Sequence, residues 1–237
     1  MTQVDKNEAA GWHAIDKALQ QVYGEQEPFH YGTIKPYQLG GPDPLDGISV
    51  YKSDVAPVHW HFISYGMSEL YTKESDNPDL SGFGIEFSFR LVRAAAEEKP
   101  PMWVMNFMQN LARYVYQTGN VFDVGHRMDA HGPIALEHET EIRAIAFTQD
   151  PQLGAIETPH GYLRFLQIVG ITCDELKTMQ QWTTDNFLTV LSSDNPLLVT
   201  DLARKSLLND PGKAALIQER MKAKDKPKKG LLGRLFS

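Results

Sequence analysis

The residues with the clearest chemical potential are His59 and His61, in the stretch HWHFISYGMSELY (59–71). In an extended strand, alternate side chains share one face, so the two imidazoles would lie about 6.6 Å apart. This spacing suits two ligands of one metal ion, and a catalytic zinc would need a third ligand, for which His126, His131 and His138 are candidates without metal-typical spacing. The same imidazoles could instead make structural hydrogen bonds within a strand. The sequence favours this structural interpretation, and a metal-dependent hydrolase using the His59/His61 pair is the alternative.

Other catalytic patterns are weak. Cys173, the single cysteine, follows Thr172 at the predicted start of a helix, where backbone N–H groups favour a thiolate. Thr172 and Glu175 have the spacing of a capping box, which explains this segment without catalysis. The glycines and prolines of residues 39–47 fit turns, because the P-loop and GxGxxG patterns are missing there. We therefore expect a protein that is not an enzyme and needs no cofactor.

Charge is unevenly distributed along the chain. Residues 213–237 contain eight Lys or Arg and two acidic residues, whereas residues 1–212 contain 15 basic and 28 acidic residues. Such an acidic body repels nucleic acid and favours a basic protein or peptide partner. The basic end is expected to be a disordered tail, and its few apolar residues do not favour the alternative that it contacts a membrane surface. Without a signal-peptide pattern or a membrane-spanning apolar window, the protein is expected to be cytoplasmic.

Hydrophobic periodicity predicts an α+β fold. Helices are predicted at residues 12–23, 102–118, 173–182 and 185–191, and strands at 48–51, 58–66, 83–91, 142–148, 161–171 and 197–200. Helices and strands do not alternate regularly, which predicts one domain, residues 1–212, with a central mixed, mostly antiparallel sheet packed with helices. Residues 161–171 are apolar on both faces and should lie centrally. Residues 83–91 alternate strictly, which predicts one buried face and one face in water or against a partner.

A resemblance to a known family adds to this interpretation. The N-terminal domain of the suppressor of fused family is similar over about residues 11–204, in seven collinear blocks: LGGPDPLDGISVY, HWHFISYGMSELY, SGFGIEFSFRL, LARYVYQTGN, TQDPQLGAIETPHGYLRFLQIVGITCDEL, QQW and LVTDLAR. Animal members are non-enzymatic regulators of Hedgehog signalling, whose two domains hold a short Gli peptide as a strand. Bacterial relatives are often single-domain proteins with suspected immunity or partner-binding roles. The resemblance implies a single-domain, bacterial-type, cytoplasmic protein that binds a protein or peptide, with immunity or regulatory sequestration as versions of that role.

The resemblance also implies where the partner binds. The family's peptide-contacting tyrosine falls at Tyr114, and a family histidine falls at His131. Two family acids are replaced, one at His126 and one at Gln149, so the Gli motif itself is not the expected ligand. We expect the partner to contact the end of the helix over 102–118 and the loop 119–133, with these residues at the site: Tyr114, Asp123, His126, His131, Gln149 and Asp150.

Overall fold

The computed structural model describes residues 9–224, and in this range eight strands form one sheet. The strands are β1 (Phe29–Gly32), β2 (Gly47–Ser53), β3 (His59–Tyr65), β4 (Leu80–Val92), β5 (Arg127–Asp129), β6 (Ile142–Gln149), β7 (Ala155–Thr158) and β8 (Gly161–Thr172). The helices are α1 (Ala10–Tyr23), α2 (Trp103–Thr118), α3 (Cys173–Gln181), α4 (Thr184–Leu191) and α5 (Pro211–Lys224). The sheet order is β1-β2-β3-β4-β8-β6-β5, with β7 also paired to β8. The predicted α+β class with a mixed, mostly antiparallel sheet is confirmed, since β4 and β8 are the only strands among residues 9–224 that pair in parallel.

Helices cover both faces of the sheet. On one face, α2 packs its apolar stripe against a core that includes Phe87, Phe89 and Ile168. On the opposite face, α1 covers the β3 region, and α3, α4 and α5 cover β6 and the end of β8. Strand β8 therefore has strands on both sides and helices on both faces, which explains why its sequence is apolar throughout.

Strand β4 corrects one expectation from the sequence. Its odd-numbered residues from Ile85 to Leu91 are buried as predicted, but Glu86, Ser88 and Arg90 on the opposite face are also fully buried. Polar side chains can occupy an interior only when they are hydrogen-bonded, so this second face must hold an internal polar network.

Two other expectations were wrong. Residues 197–200 do not form a strand, because a turn closed by Asn195 leaves only Thr200 in a single bridge with Leu91. Residues 213–224 belong to α5 rather than to a disordered tail, because buried Ile217 packs in the core against α3 and α4. The rest of the predicted tail, 225–237, lies outside the described residues, and membrane contact through it stays a prediction.

Candidate functional site

Strand β5 is an edge of the sheet with one free side. Within residues 9–224 it pairs only with β6. The carbonyl oxygen of His126 accepts from the backbone N–H of Phe147, and the backbone N–H of Ala130 donates to the carbonyl oxygen of Arg143, so both bond inward to β6. In an antiparallel ladder the bonding direction alternates, so the backbone N–H and C=O groups of Arg127 and Asp129 point outward. An edge of this kind can accept a further strand.

A cavity of about 920 Å³ opens beside β5. Its walls are the C-terminal end of α2, the loop 119–126, β5 and one face of α3. Helix α2 ends at Gly119, whose positive φ of 73° turns the chain into this loop. The lining residues are Tyr114, Gly119, Asn120, Val121, Phe122, Gly125, His126, Arg127, Met128, Asp129, Leu176 and Gln180.

Tyr114 forms the aromatic wall of this cavity. Its side chain is 40% exposed and stacks on Phe122, with ring centroids 5.4 Å apart. Phe122 stacks in turn on Phe147 of β6 at 4.4 Å. Because two buried rings support it, Tyr114 presents a fixed aromatic surface at low entropic cost to a ligand.

The loop 119–126 is fixed by its own side chains. His126 accepts a hydrogen bond at Nδ1 from the backbone N–H of Asp123, 3.1 Å away. The Asp123 carboxylate pairs with Arg164 at 2.6 Å and also accepts from the backbone N–H of Val124. The His126 Nδ1 atom thus holds the loop, and His126 remains exposed at the cavity.

The six residues predicted for partner binding do not form one cluster. Tyr114 and His126 line the cavity, and Asp123 is hydrogen-bonded to His126 without lining it, whereas His131 lies beyond β5 with its side chain 90% exposed. Gln149 is exposed at the end of β6 but does not line the cavity. The sequence did not indicate Leu176 and Gln180 of α3, since only the tertiary fold brings them there.

Asp150 is placed elsewhere, in the buried polar network under β4. It is 1% exposed, and its carboxylate accepts two hydrogen bonds from Arg90 at 2.9 and 3.0 Å. Further bonds come from His61, Ser88 and two backbone N–H groups. Burial alone would raise the pKa of Asp150, but His61 and the Arg90 guanidinium outweigh it and hold that pKa well below its usual range. Asp150 is therefore not at the surface in this conformation, and its contact with a partner stays a prediction.

The histidine pair belongs to the same buried network. Nδ1 of His59 lies 2.7 Å from the carbonyl oxygen of Pro57, and its Nε2 lies 3.2 Å from Arg90. Nδ1 of His61 lies 2.6 Å from the hydroxyl of Tyr23, and its Nε2 lies 3.1 Å from Asp150. Burial lowers the pKa of both imidazoles to about 4, so both are neutral at pH 7.

This arrangement does not fit a metal site. Every ring nitrogen of the pair already has a protein partner, and one partner is a guanidinium that repels cations. Across residues 9–224, no three His, Cys, Asp or Glu side chains converge as a ligand set, so neither His126 nor His131 supplies the third ligand. The geometry therefore gives no support to the alternative of a hydrolase built on His59 and His61, and the observed contacts of the pair are structural hydrogen bonds.

An α+β domain with a polar interior closed to solvent and an open edge strand beside an aromatic cavity has the design of a binding scaffold. The chain belongs to the Suppressor of fused protein family, whose sequence model matches residues 41–205. It is 41% identical over 211 residues to the human Suppressor of fused homolog, a match that covers 82% of this chain and 43% of the human protein. The chain thus spans less than half the length of that relative.

Solved structures agree with this assignment. The crystal structure of Drosophila Suppressor of Fused superposes with a TM-score of 0.84 at 32% identity, covering 91% of this chain and 56% of that one. A chain of the Sufu–Fu complex crystal structure gives a TM-score of 0.81 at 34% identity, covering 89% of this chain and 98% of that one. In the described part of the chain, every helix is too short or too polar to cross a membrane.

Proposed function

We propose that this protein is a non-enzymatic regulatory domain that binds another protein by taking an extended segment along β5. The observation that carries the proposal is the unpaired side of β5 at the rim of the cavity that Tyr114 lines. A family member has been crystallised as a Sufu–Fu complex, which supports protein binding as the role of the family. The family match gives no support to an immunity role, and a cytoplasmic location stays a prediction.

The contribution of each contact to the binding free energy can be estimated from the geometry of strand addition. The outward groups of Arg127 and Asp129 offer up to four backbone hydrogen bonds, each of about 1 kcal/mol net. Covering Tyr114 adds about 1 kcal/mol, because only 40% of the residue is still exposed and full burial of a large apolar side chain gains about 1.5–3 kcal/mol. Because association itself costs several kcal/mol, backbone pairing alone binds weakly, and the partner must also place a side chain in the cavity.

Electrostatics decides which partners approach. The acidic excess of residues 1–212 attracts a basic partner at long range, and this attraction is screened beyond about 10 Å at 0.1 M salt. At the cavity itself, Arg127 offsets the charge of Asp129, and Arg164 offsets that of Asp123 beside it. The bound segment is therefore recognised mainly through its backbone and apolar side chains, and a higher salt concentration should slow association more than it speeds dissociation.

The proposal is tested with peptides selected from a displayed random library against the purified protein. Tyr114→Ala should weaken the selected peptides by about fivefold, because it removes the aromatic wall. Phe29→Ala is a matched control, since Phe29 is 38% exposed on the opposite edge strand, β1. Methylating the backbone nitrogens of a peptide one at a time should block binding at alternate positions only. Peptides that bind Tyr114→Ala as tightly as the original protein would contradict the proposal.

A further inference from the structure

A second cavity, which we call the tyrosine cleft, lies on the other side of α2. Tyr114 and Tyr116 are two positions apart, so they project about 200° apart around the helix. Tyr116 lines this second cavity of about 820 Å³ together with the 3-10 helix Tyr37–Leu39, the loop 66–75 and the start of β4. The tyrosine cleft is therefore distinct from the cavity beside β5.

Aromatic rings form much of the wall of the tyrosine cleft. The ring of Tyr116 meets Tyr37 and Phe83 edge to face, with both centroid distances 5.0 Å. Its hydroxyl donates to the carbonyl oxygen of Gly66 at 2.6 Å, which fixes the ring. Tyr71 adds a ring that is 45% exposed. These rings are held in place before any ligand arrives.

The charged side chains of the tyrosine cleft are all acidic. Asp46, Glu69 and Glu74 line it, and no Lys, Arg or His does so within the part of the chain described here. Glu69 is committed to its own loop, because it accepts from Lys73 and from the backbone N–H groups of Glu74, Ser75 and Gly82. Burial alone would raise the pKa of the Glu69 carboxyl, but these hydrogen bonds outweigh it and lower the pKa to about 2.

Among the described residues, the carboxylates of Asp46 and Glu74 are not paired with a basic side chain as Glu69 is with Lys73. Neither forms a salt bridge with any residue between 9 and 224. Burial raises the pKa of the Asp46 carboxyl, although the hydroxyl of Tyr71 partly opposes this shift. Two carboxylates without counter-ions beside fixed aromatic rings make a site that a cation would stabilise.

We propose that the tyrosine cleft binds an arginine side chain carried by a partner peptide. A guanidinium is planar, so it can stack on a tyrosine face while its N–H groups donate to Asp46 and Glu74. Phosphate and other anions are repelled by the same carboxylates. A metal ion does not fit, because the acids here do not converge as ligands in the described residues. The site is independent of β5, so either proposal can fail without the other.

The test is an NMR titration of the 15N-labelled full chain with an N-acetylated, C-amidated Gly-Arg-Gly peptide. The matched probe replaces arginine by citrulline, which keeps the shape and removes the charge. We expect the arginine peptide to shift the amide signals of Gly66, Ser68 and Phe83 with a millimolar Kd. The citrulline peptide should bind at least fivefold more weakly.

Variants separate the tyrosine cleft from the rest of the surface. Asp46→Asn combined with Glu74→Gln should weaken the arginine peptide at least fivefold, and Glu141→Gln, at an exposed acid outside the cleft, should leave its Kd unchanged. If the double variant does not fold, as judged by circular dichroism, Glu74→Gln alone serves, because Glu74 is exposed and should lose at least twofold. Equal binding of the two peptides, shifts confined to other parts of the chain, or full affinity in the carboxamide variant would each overturn the proposal.

Discussion

The buried pair of Arg90 and Asp150 gives the sharpest prediction for stability. Both side chains are fully buried, and the closest N···O distance is 2.9 Å. In an Asp150→Asn variant, the amide oxygen can still accept from the backbone, but the amide nitrogen faces the guanidinium, which cannot reverse its role as a donor. His61 and Ser88 can each reorient or change tautomer so that they accept a hydrogen bond from the new amide. Most of the lost stability therefore arises at Arg90.

An uncompensated buried charge costs about 3–5 kcal/mol when its partner is removed. A domain of this size is stable by only about 5–15 kcal/mol, so Asp150→Asn should bring the protein close to unfolding at 25 °C. Urea unfolding followed by tryptophan fluorescence, with linear extrapolation, measures this loss. Replacing both residues, Arg90→Met with Asp150→Asn, should recover more than half of it, because no ion is then left unpaired.

The exposed pair of Lys205 and Glu141 is a matched control. Its N···O distance is also 2.9 Å, but its side chains are 69% and 48% exposed. Glu141→Gln should therefore cost less than about 1 kcal/mol. If Asp150→Asn costs no more than Glu141→Gln, the reasoning that burial makes this network essential is refuted.

Two further predictions concern the interior. Burial raises the pKa of Glu86 to about 7, so the folded protein holds a proton there that the unfolded chain releases near pH 4.5. The stability that this proton supplies is lost as the pH rises from about 4.5 to 7, and the loss amounts to about 3 kcal/mol. In Glu86→Gln, the unfolding free energy from urea titrations should therefore fall less steeply over this pH range. An identical pH dependence in the variant would contradict the raised pKa of Glu86. Gly170→Ala places a Cβ within 2.7 Å of two methyl groups and should cost about 1–3 kcal/mol in the same assay, whereas Gly132→Ala, which meets nothing within 4 Å, should be nearly neutral.

Local sequence predicted the long elements well because their signals are local. The apolar stripe of residues 102–118 and the alternation of residues 83–91 each lie within one window, and both elements are observed. Glutamate at position 86 and arginine at position 90 normally indicate solvent, and their partners lie 22 and 60 residues away in the chain. No periodicity could therefore show that they are buried.

The candidate site was predictable only in part. Tyr114 and His126 came from the family resemblance, and the structure places both in the cavity. Strand β5 has three residues, too few for a period to emerge, so the open edge that defines the site was missed. Asp150 follows an exposed Gln149 and looked like a surface acid, although the chain turns inward between the two.

The single parallel pairing between β4 and β8 has a consequence for how the chain assembles. Strands β1 to β4 form a meander, and β5 to β8 form a second antiparallel group in which both β6 and β7 pair with β8, whereas Ile85 must find Arg164 across a long intervening stretch. Arg90 belongs to the meander and Asp150 directly follows β6 of the second group, so their charges meet only when the two groups join correctly. If β4 paired with β8 one residue out of register, Arg90 would point toward the phenylalanines under α2 and away from Asp150. The ion pair therefore disfavours an incorrect register between these two strands.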